Sequence, residues 1–137
     1  MNAPYTKPLP TIDDRNRPHW AGNAAGELRV QRCDDCGTPR FPASRWCPHC
    51  LSESTSWQTT SGKGQVWSWC VFHRAYFKGF TDDLPYAVAL IELDEGVKIY
   101  SNLVGIPREQ IRIGMRVRAR FEKVTEAVTL VKFEEDK

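Results

Sequence analysis

No stretch of the 137 residues approaches the roughly 20 consecutive apolar positions that a membrane-spanning helix needs. The first 14 residues hold three prolines and no apolar run, so no secretory signal is expected there and a cytoplasmic protein is. Charge of one sign is also missing. Nineteen basic side chains face 17 acidic ones, and the balance is even along the chain, 7 against 6 in residues 1–60 and 12 against 11 in residues 61–137. That is not the basic footprint of a protein that lives on nucleic acid. No Gly-x-Ser-x-Gly elbow, phosphate loop or dinucleotide fingerprint occurs, and no repeat or low-complexity tract.

What is present divides the chain in three. Residues 1–26 are rich in proline and polar side chains, with a short helix expected from about Asp14 to Ala25, Pro18 in its first turn and Gly26 ending it. Alone it would be marginal, so Trp20 is expected to dock it. Residues 27–60 carry four paired cysteines and few aliphatic residues. Residues 61–137 read as five strands: Gln65–Ala75, Tyr86–Asp94, Val97–Val104, Met115–Lys123 and Ala127–Glu134. Pro107 is placed to open a single helical turn between the third and fourth. In the fourth, Met115, Val117, Ala119 and Phe121 share one face, and Arg116, Arg118, Arg120 and Glu122 the other. The expectation is a mainly β protein: a short N-terminal helix, a cysteine-bearing segment with little core of its own, and a small five-stranded Greek-key barrel of the OB type. A small sandwich is the competing arrangement, and periodicity does not separate the two.

The cysteines carry the sharpest signal. Cys33-x2-Cys36 and Cys47-x2-Cys50 stand ten residues apart. A two-residue gap lets both sulfurs of a pair reach one ion from a tight turn, and Gly37 follows the first pair, where such a knuckle favours a residue without Cβ. Four thiolates suit one structural zinc ion and leave no position open for water or substrate. Iron in a rubredoxin-like site would use the same ligands. Disulfides would need an oxidising compartment. The run Trp46-Cys47-Pro48-His49-Cys50 imitates a thioredoxin-type redox motif, but Leu51–Ser56 is a poor helix and could not activate the first thiol. Cys70 stands alone in a strand and reads as a buried small hydrophobe.

No nucleophile–base pair is marked, so no catalytic residue is assigned. His73 is expected to be structural or interfacial. Asp82-Asp83 reads as solvated loop. The connection from Tyr76 to Tyr86 carries four aromatic residues, an unusual load for a loop. Tyr76, Phe77 and Phe80, with His73 and Arg74 at their base, are therefore candidates for contact with a partner or ligand. A lid packed over the barrel end is the alternative. Arg116, Arg118 and Arg120 read as a solvated face that would also suit a phosphate or an acidic partner.

Several of these segments together resemble the acyl-CoA-associated zinc-ribbon/OB-fold proteins: Gly26-Glu27-Leu28-Arg29-Val30-Gln31-Arg32-Cys33, the two knuckles with Phe41-Pro42 between them, the strand from Gly64 to His73-Arg74, Pro85-Tyr86-Ala87-Val88-Ala89-Leu90, and Ile113-Gly114-Met115. The resemblance spans about residues 18–134. At Ala21-Gly22-Asn23 the chain departs from it, since the helix there is commonly longer and more apolar. The resemblance implies a short N-terminal helix (residues 1–26 with the arm), a rubredoxin-like zinc ribbon (27–60) and a five-stranded OB-fold barrel (61–137). It also implies a non-catalytic accessory subunit beside a thiolase-like or other acyl-CoA enzyme, helping to shape its coenzyme A or acyl-CoA site. Single-stranded nucleic-acid binding is the alternative, because zinc ribbons and OB barrels both serve it, and a net charge of +2 weighs against it.

Overall fold

A computed structural model describes residues 5–137. One helix, α1 (Arg17–Ala24), precedes a three-stranded ribbon of β1 (Arg29–Cys33), β2 (Pro39–Arg40) and β3 (Thr55–Thr59). Five further strands follow: β4 (Lys63–Phe72), β5 (Tyr86–Leu93), β6 (Lys98–Leu103), β7 (Arg116–Lys123) and β8 (Thr129–Glu135). They close into a barrel in the order β4-β5-β6-β8-β7, with β7 returning to β4 and a single parallel pairing, Leu103 with Phe133, between β6 and β8. That order is the five-stranded OB barrel, and it removes the sandwich alternative: closure leaves no second sheet to pack.

Period-two patterning decides which side chains fill the barrel. Val66, Ala89, Ile91, Leu93, Ile99, Val117 and Phe133 point inward and are buried. On β7 the expected alternation holds, with the arginines outside and Val117 inside. Pro107 precedes a one-turn 3-10 helix, Arg108–Gln110, as expected, and another, Lys78–Asp83, lies in the aromatic connection. Gly64 shows where a side chain cannot be tolerated: a Cβ there would sit 2.3 Å from the Glu92 carbonyl oxygen on β5.

The ribbon is not a separate body. Leu28 and Val30 enter the same apolar cluster as the barrel strands, so residues with little core of their own borrow the barrel's. Helix α1 starts three residues later than expected, with Pro18 in its first turn. It docks through His19 and Asn23 rather than Trp20, which stays half-buried. A backbone carbonyl only accepts, so the 3.0 Å contact of His19 Nδ1 with the Arg29 oxygen puts the imidazole proton on Nδ1. Nε2 then accepts from Asn23 Nδ2 at 3.4 Å, and the same amide donates to the Thr129 carbonyl at 3.0 Å. Three elements, α1, β1 and β8, meet in this chain of contacts. The small polar run Ala21-Gly22-Asn23 thus replaces an apolar helix face with a buried hydrogen-bond junction, and Gly22 admits the Glu27 backbone, whose N–H donates to its carbonyl at 2.7 Å.

Candidate metal centre

Two matching turns build the site. In the first, the N–H of Gly37 donates to the Cys33 carbonyl at 2.9 Å; in the second, the N–H of Leu51 donates to the Cys47 carbonyl at 2.8 Å. Each turn needs left-handed backbone at the residue after its second cysteine, and Gly37 (φ 77°) and Leu51 (φ 66°) supply it. The sequence signals this at Gly37 and hides it at Leu51, which adopts the conformation without glycine's freedom. The turns are cross-tied as well. Asp34 accepts from the Ser56 hydroxyl at 2.7 Å, and Asp35 accepts from the Ser52 hydroxyl.

The four sulfurs of Cys33, Cys36, Cys47 and Cys50 lie within 4.8 Å of one another, with contacts of 3.5 Å between Cys33 and Cys50 and 3.6 Å between Cys36 and Cys47. A zinc tetrahedron with Zn–S bonds of about 2.3 Å sets its sulfurs roughly 3.8 Å apart, so the donor set fits one zinc ion. Backbone donors already favour thiolate. The N–H groups of Cys36 and His49 approach the sulfurs of Cys33 and Cys47 at 3.5 and 3.4 Å. Backbone N–H donation near Cys36 lowers the Cys33 thiol below its usual value, donation near Cys50 lowers Cys47, and the Thr38 hydroxyl with its backbone lowers Cys36. Cys50 gains from the Ser52 N–H, yet the neighbouring sulfurs outweigh it and push that thiol up to about 12. Four sulfurs this close disfavour full deprotonation, and a divalent cation is what relieves such crowding. Cys33 and Cys47 are buried, while Cys36 and Cys50 are exposed. The site is a one-zinc structural centre.

The remaining candidates fall in different places. His73 and Arg74 do not end a strand, because β4 stops at Phe72 where the backbone turns into the connection. Both are exposed, and with Val71, Phe72 and Tyr76 they line a shallow hollow of about 260 Å³. Arg74 lies over the Tyr76 ring at 5.5 Å. Tyr76 and Phe77 are 68% and 59% exposed, which sets them apart from a packed lid. Phe80 turns the other way, onto Tyr86 at 5.4 Å, and helps line a separate cavity of about 510 Å³ with Lys7, Asp83 and Leu103. Asp83 is not free, since Lys7 pairs with it at 2.8 Å. Cys70 is exposed, contrary to expectation: β4 is bulged between Val66 and Ser68, and the register beyond it puts Cys70 opposite Val88 on the outer face. The arginine stripe is largely neutralised. Arg116 grips Asp94 with two bonds of 2.9 Å, and Arg118 reaches Glu134 at 3.4 Å.

Comparison with known proteins agrees with this geometry piece by piece. Residues 20–56 match the ChsH2 rubredoxin-like zinc ribbon domain and residues 57–122 match the ChsH2 C-terminal OB-fold domain. A DUF35 domain-containing scaffold protein of Methanocaldococcus jannaschii is 40% identical over 96 residues, covering 69% of this chain and 67% of that one. The chain belongs to the ChsH2/DUF35 family. Within the family, a probable enoyl-CoA hydratase alpha subunit of Thermomonospora curvata is 40% identical over 111 residues, 81% of this chain but only 34% of its own length. The chain therefore spans about a third of that relative. A solved structure described as the Ltp2-ChsH2(DUF35) aldolase superposes with a TM-score of 0.82 at 36% identity, covering 93% of this chain and 98% of that one. Among the described residues no helix is long and apolar enough to cross a membrane.

Proposed function

We propose that the protein is a non-catalytic accessory subunit of an acyl-CoA-processing enzyme of the thiolase-like kind, scaffolding the complex and shaping its acyl-CoA site. One observation carries the reading. All four ligands of the metal come from the protein, so the ion has no position for substrate, and it serves the ribbon's fold rather than a reaction. The relatives support the setting, since they are named as a probable enoyl-CoA hydratase alpha subunit, a DUF35 domain-containing scaffold protein and the Ltp2-ChsH2(DUF35) aldolase. The contact surface is assigned to the connection after β4. Tyr76 and Phe77 offer exposed aromatic area, Arg74 offers a guanidinium fork suited to the phosphates of coenzyme A, and His73 lies beside them. Phe80 plays a supporting part, holding the connection on the barrel through Tyr86.

Co-purification of the untagged protein under native conditions tests this. An acyl-CoA enzyme subunit should travel with it through successive columns, and the isolated chain should show no thiolysis, hydrolysis, hydration or condensation of acyl-CoA. Turnover by the isolated chain that survives further purification refutes the reading. So does micromolar binding of single-stranded DNA or RNA at physiological salt with no enzyme partner.

A further inference from the structure

Resting on that reading, we infer that the partner subunit docks on the outer face of β4, β5 and β6, over Trp67, Cys70, Val88, Leu90 and Tyr100. Period two fixes the face. Ser68 opposes Leu90, Cys70 opposes Val88 and Leu90 opposes Tyr100, so these side chains stand on the side of the sheet away from Ala89 and Ile91 in the core. Trp67, at the bulge, is 50% exposed, and Tyr100 is 74% exposed. Two aromatic side chains exposed to that degree present roughly 250 Å² of apolar surface before Cys70, Val88 and Leu90 are added. A patch of this size is near the scale where monomers carry a function, and the two rings alone supply about a third of one side of a standard protein interface.

The shape and the charge choose the occupant. The patch lies on the convex exterior of a closed barrel, which suits a protein surface and offers a small molecule nothing to enter. The patch is also continuous with the connection after β4. Phe72 stacks on Tyr86 at 5.2 Å and meets Tyr76 at 6.1 Å, so one apolar band runs from Tyr100 to Tyr76. At the band's far end Arg74, which lies over the Tyr76 ring, makes no ion pair among the described residues and leaves a guanidinium free there. At the near end Lys98 lies over the Trp67 ring at 4.4 Å and reaches Glu92 at 3.9 Å. The occupant is thus a protein with an apolar patch rimmed by carboxylates toward the Arg74 end. Single-stranded nucleic acid would also stack on Trp67 and Tyr100, but it needs a positive excess beside the rings, and Lys98 is already paired with Glu92.

Cys70 makes the face testable, because it is the only cysteine outside the metal cluster. The rate of Cys70 alkylation by iodoacetamide is followed by peptide mass spectrometry, for the zinc-loaded chain alone and for its complex with the co-purifying acyl-CoA enzyme subunit. Cys70→Ser serves as the background. The complex should slow alkylation at least tenfold. Trp67→Ala with Tyr100→Ala should weaken the complex at least a hundredfold with zinc content and melting temperature kept. Tyr100→Arg, on a side chain that touches little, repeats the test if the double variant folds poorly. A stable complex in which Cys70 reacts at the free rate overturns the inference and leaves the proposed function standing. Equal protection of Cys70 by raised concentrations of the chain itself, or by oligothymidylate, overturns it in favour of self-association or nucleic acid. Failure to recover any acyl-CoA enzyme overturns the proposed function and this face with it.

Discussion

Acidification should weaken the protein through His19, and by an amount the structure bounds. Burial pushes the His19 imidazole below its ordinary value, and the hydrogen bond to the Arg29 carbonyl only partly offsets this. Its surroundings explain the direction. Trp20 and Phe41 rings pack at 5.1 and 5.0 Å, and a proton added at Nε2 would point at the Asn23 amide, itself a donor. The unfolded chain therefore takes up a proton near pH 6.5 that the folded chain refuses until lower pH. Stability is fully present above about 6.5 and is lost as pH falls from there toward the lowered folded value. One proton sets a ceiling of about 1.4 kcal/mol per pH unit, so between pH 7.5 and 5.5 the loss reaches at most about 1.4 kcal/mol. For a chain of this size that is a fall of roughly 4–6 °C in melting temperature. The assay is calorimetry across this range in matched ionic strength, with bound zinc measured at each pH, because thiolate protonation is a competing loss. His19→Gln should start less stable and show a flatter dependence. Parallel curves for the wild type and His19→Gln would refute the argument.

Further expectations attach to the knuckles, the junction and the arm. The purified protein should hold close to one zinc per chain by elemental analysis, and Cys33→Ser or Cys50→Ser should unfold the ribbon; iron, or a few tenths of an equivalent, would refute the assignment. Leu51→Gly should raise stability by about 1 kcal/mol, because the left-handed backbone costs a β-carbon residue about that much and the side chain is 73% exposed; a loss in chemical denaturation would show that the Leu51 side chain matters more than its backbone. Asn23→Ala should cost about 1–3 kcal/mol, since it strips a donor from the buried Thr129 carbonyl, and a neutral result would remove the junction's importance. Gly79→Ala should loosen residues 5–10 and speed their proteolysis, because its Cβ would meet the Thr6 oxygen at 2.6 Å.

Patterning made the barrel legible, and spacing made the metal centre legible. Alternation placed Met115 and Val117 inside without any tertiary information, and Pro107 announced its helical turn. Bulges and backbone exceptions were not legible in the same way. Cys70 looked like a core residue because nothing in its neighbours marks the slip between Val66 and Ser68 that carries it outward. Leu51 does not declare its left-handed backbone, whereas Gly37 does. The docking of α1 was misassigned to Trp20 for a general reason. Helix burial is usually read from large apolar side chains, and here a histidine and an asparagine are buried because two backbone carbonyls, of Arg29 and Thr129, supply partners for them.

The contact between Asn23 and Thr129 joins residues 106 positions apart, and this has a consequence for the order in which a growing chain is completed. The ribbon pairs locally, β1 with β2 and β3, so its four thiols are all available once about residue 60 has left the ribosome. In the barrel β4, β5 and β6 also pair in chain order, but closure comes later. β4 waits for β7, β6 waits for β8, and α1, held to β1 through His19, gains its second anchor through Asn23 only when β8 is made. Metal capture and barrel closure are therefore separated in time by some 70 residues of synthesis, several seconds at ordinary elongation rates. During that interval Leu28 and Val30 stand exposed on a finished ribbon, so a cell short of zinc and a cell short of chaperones would fail this protein at different moments.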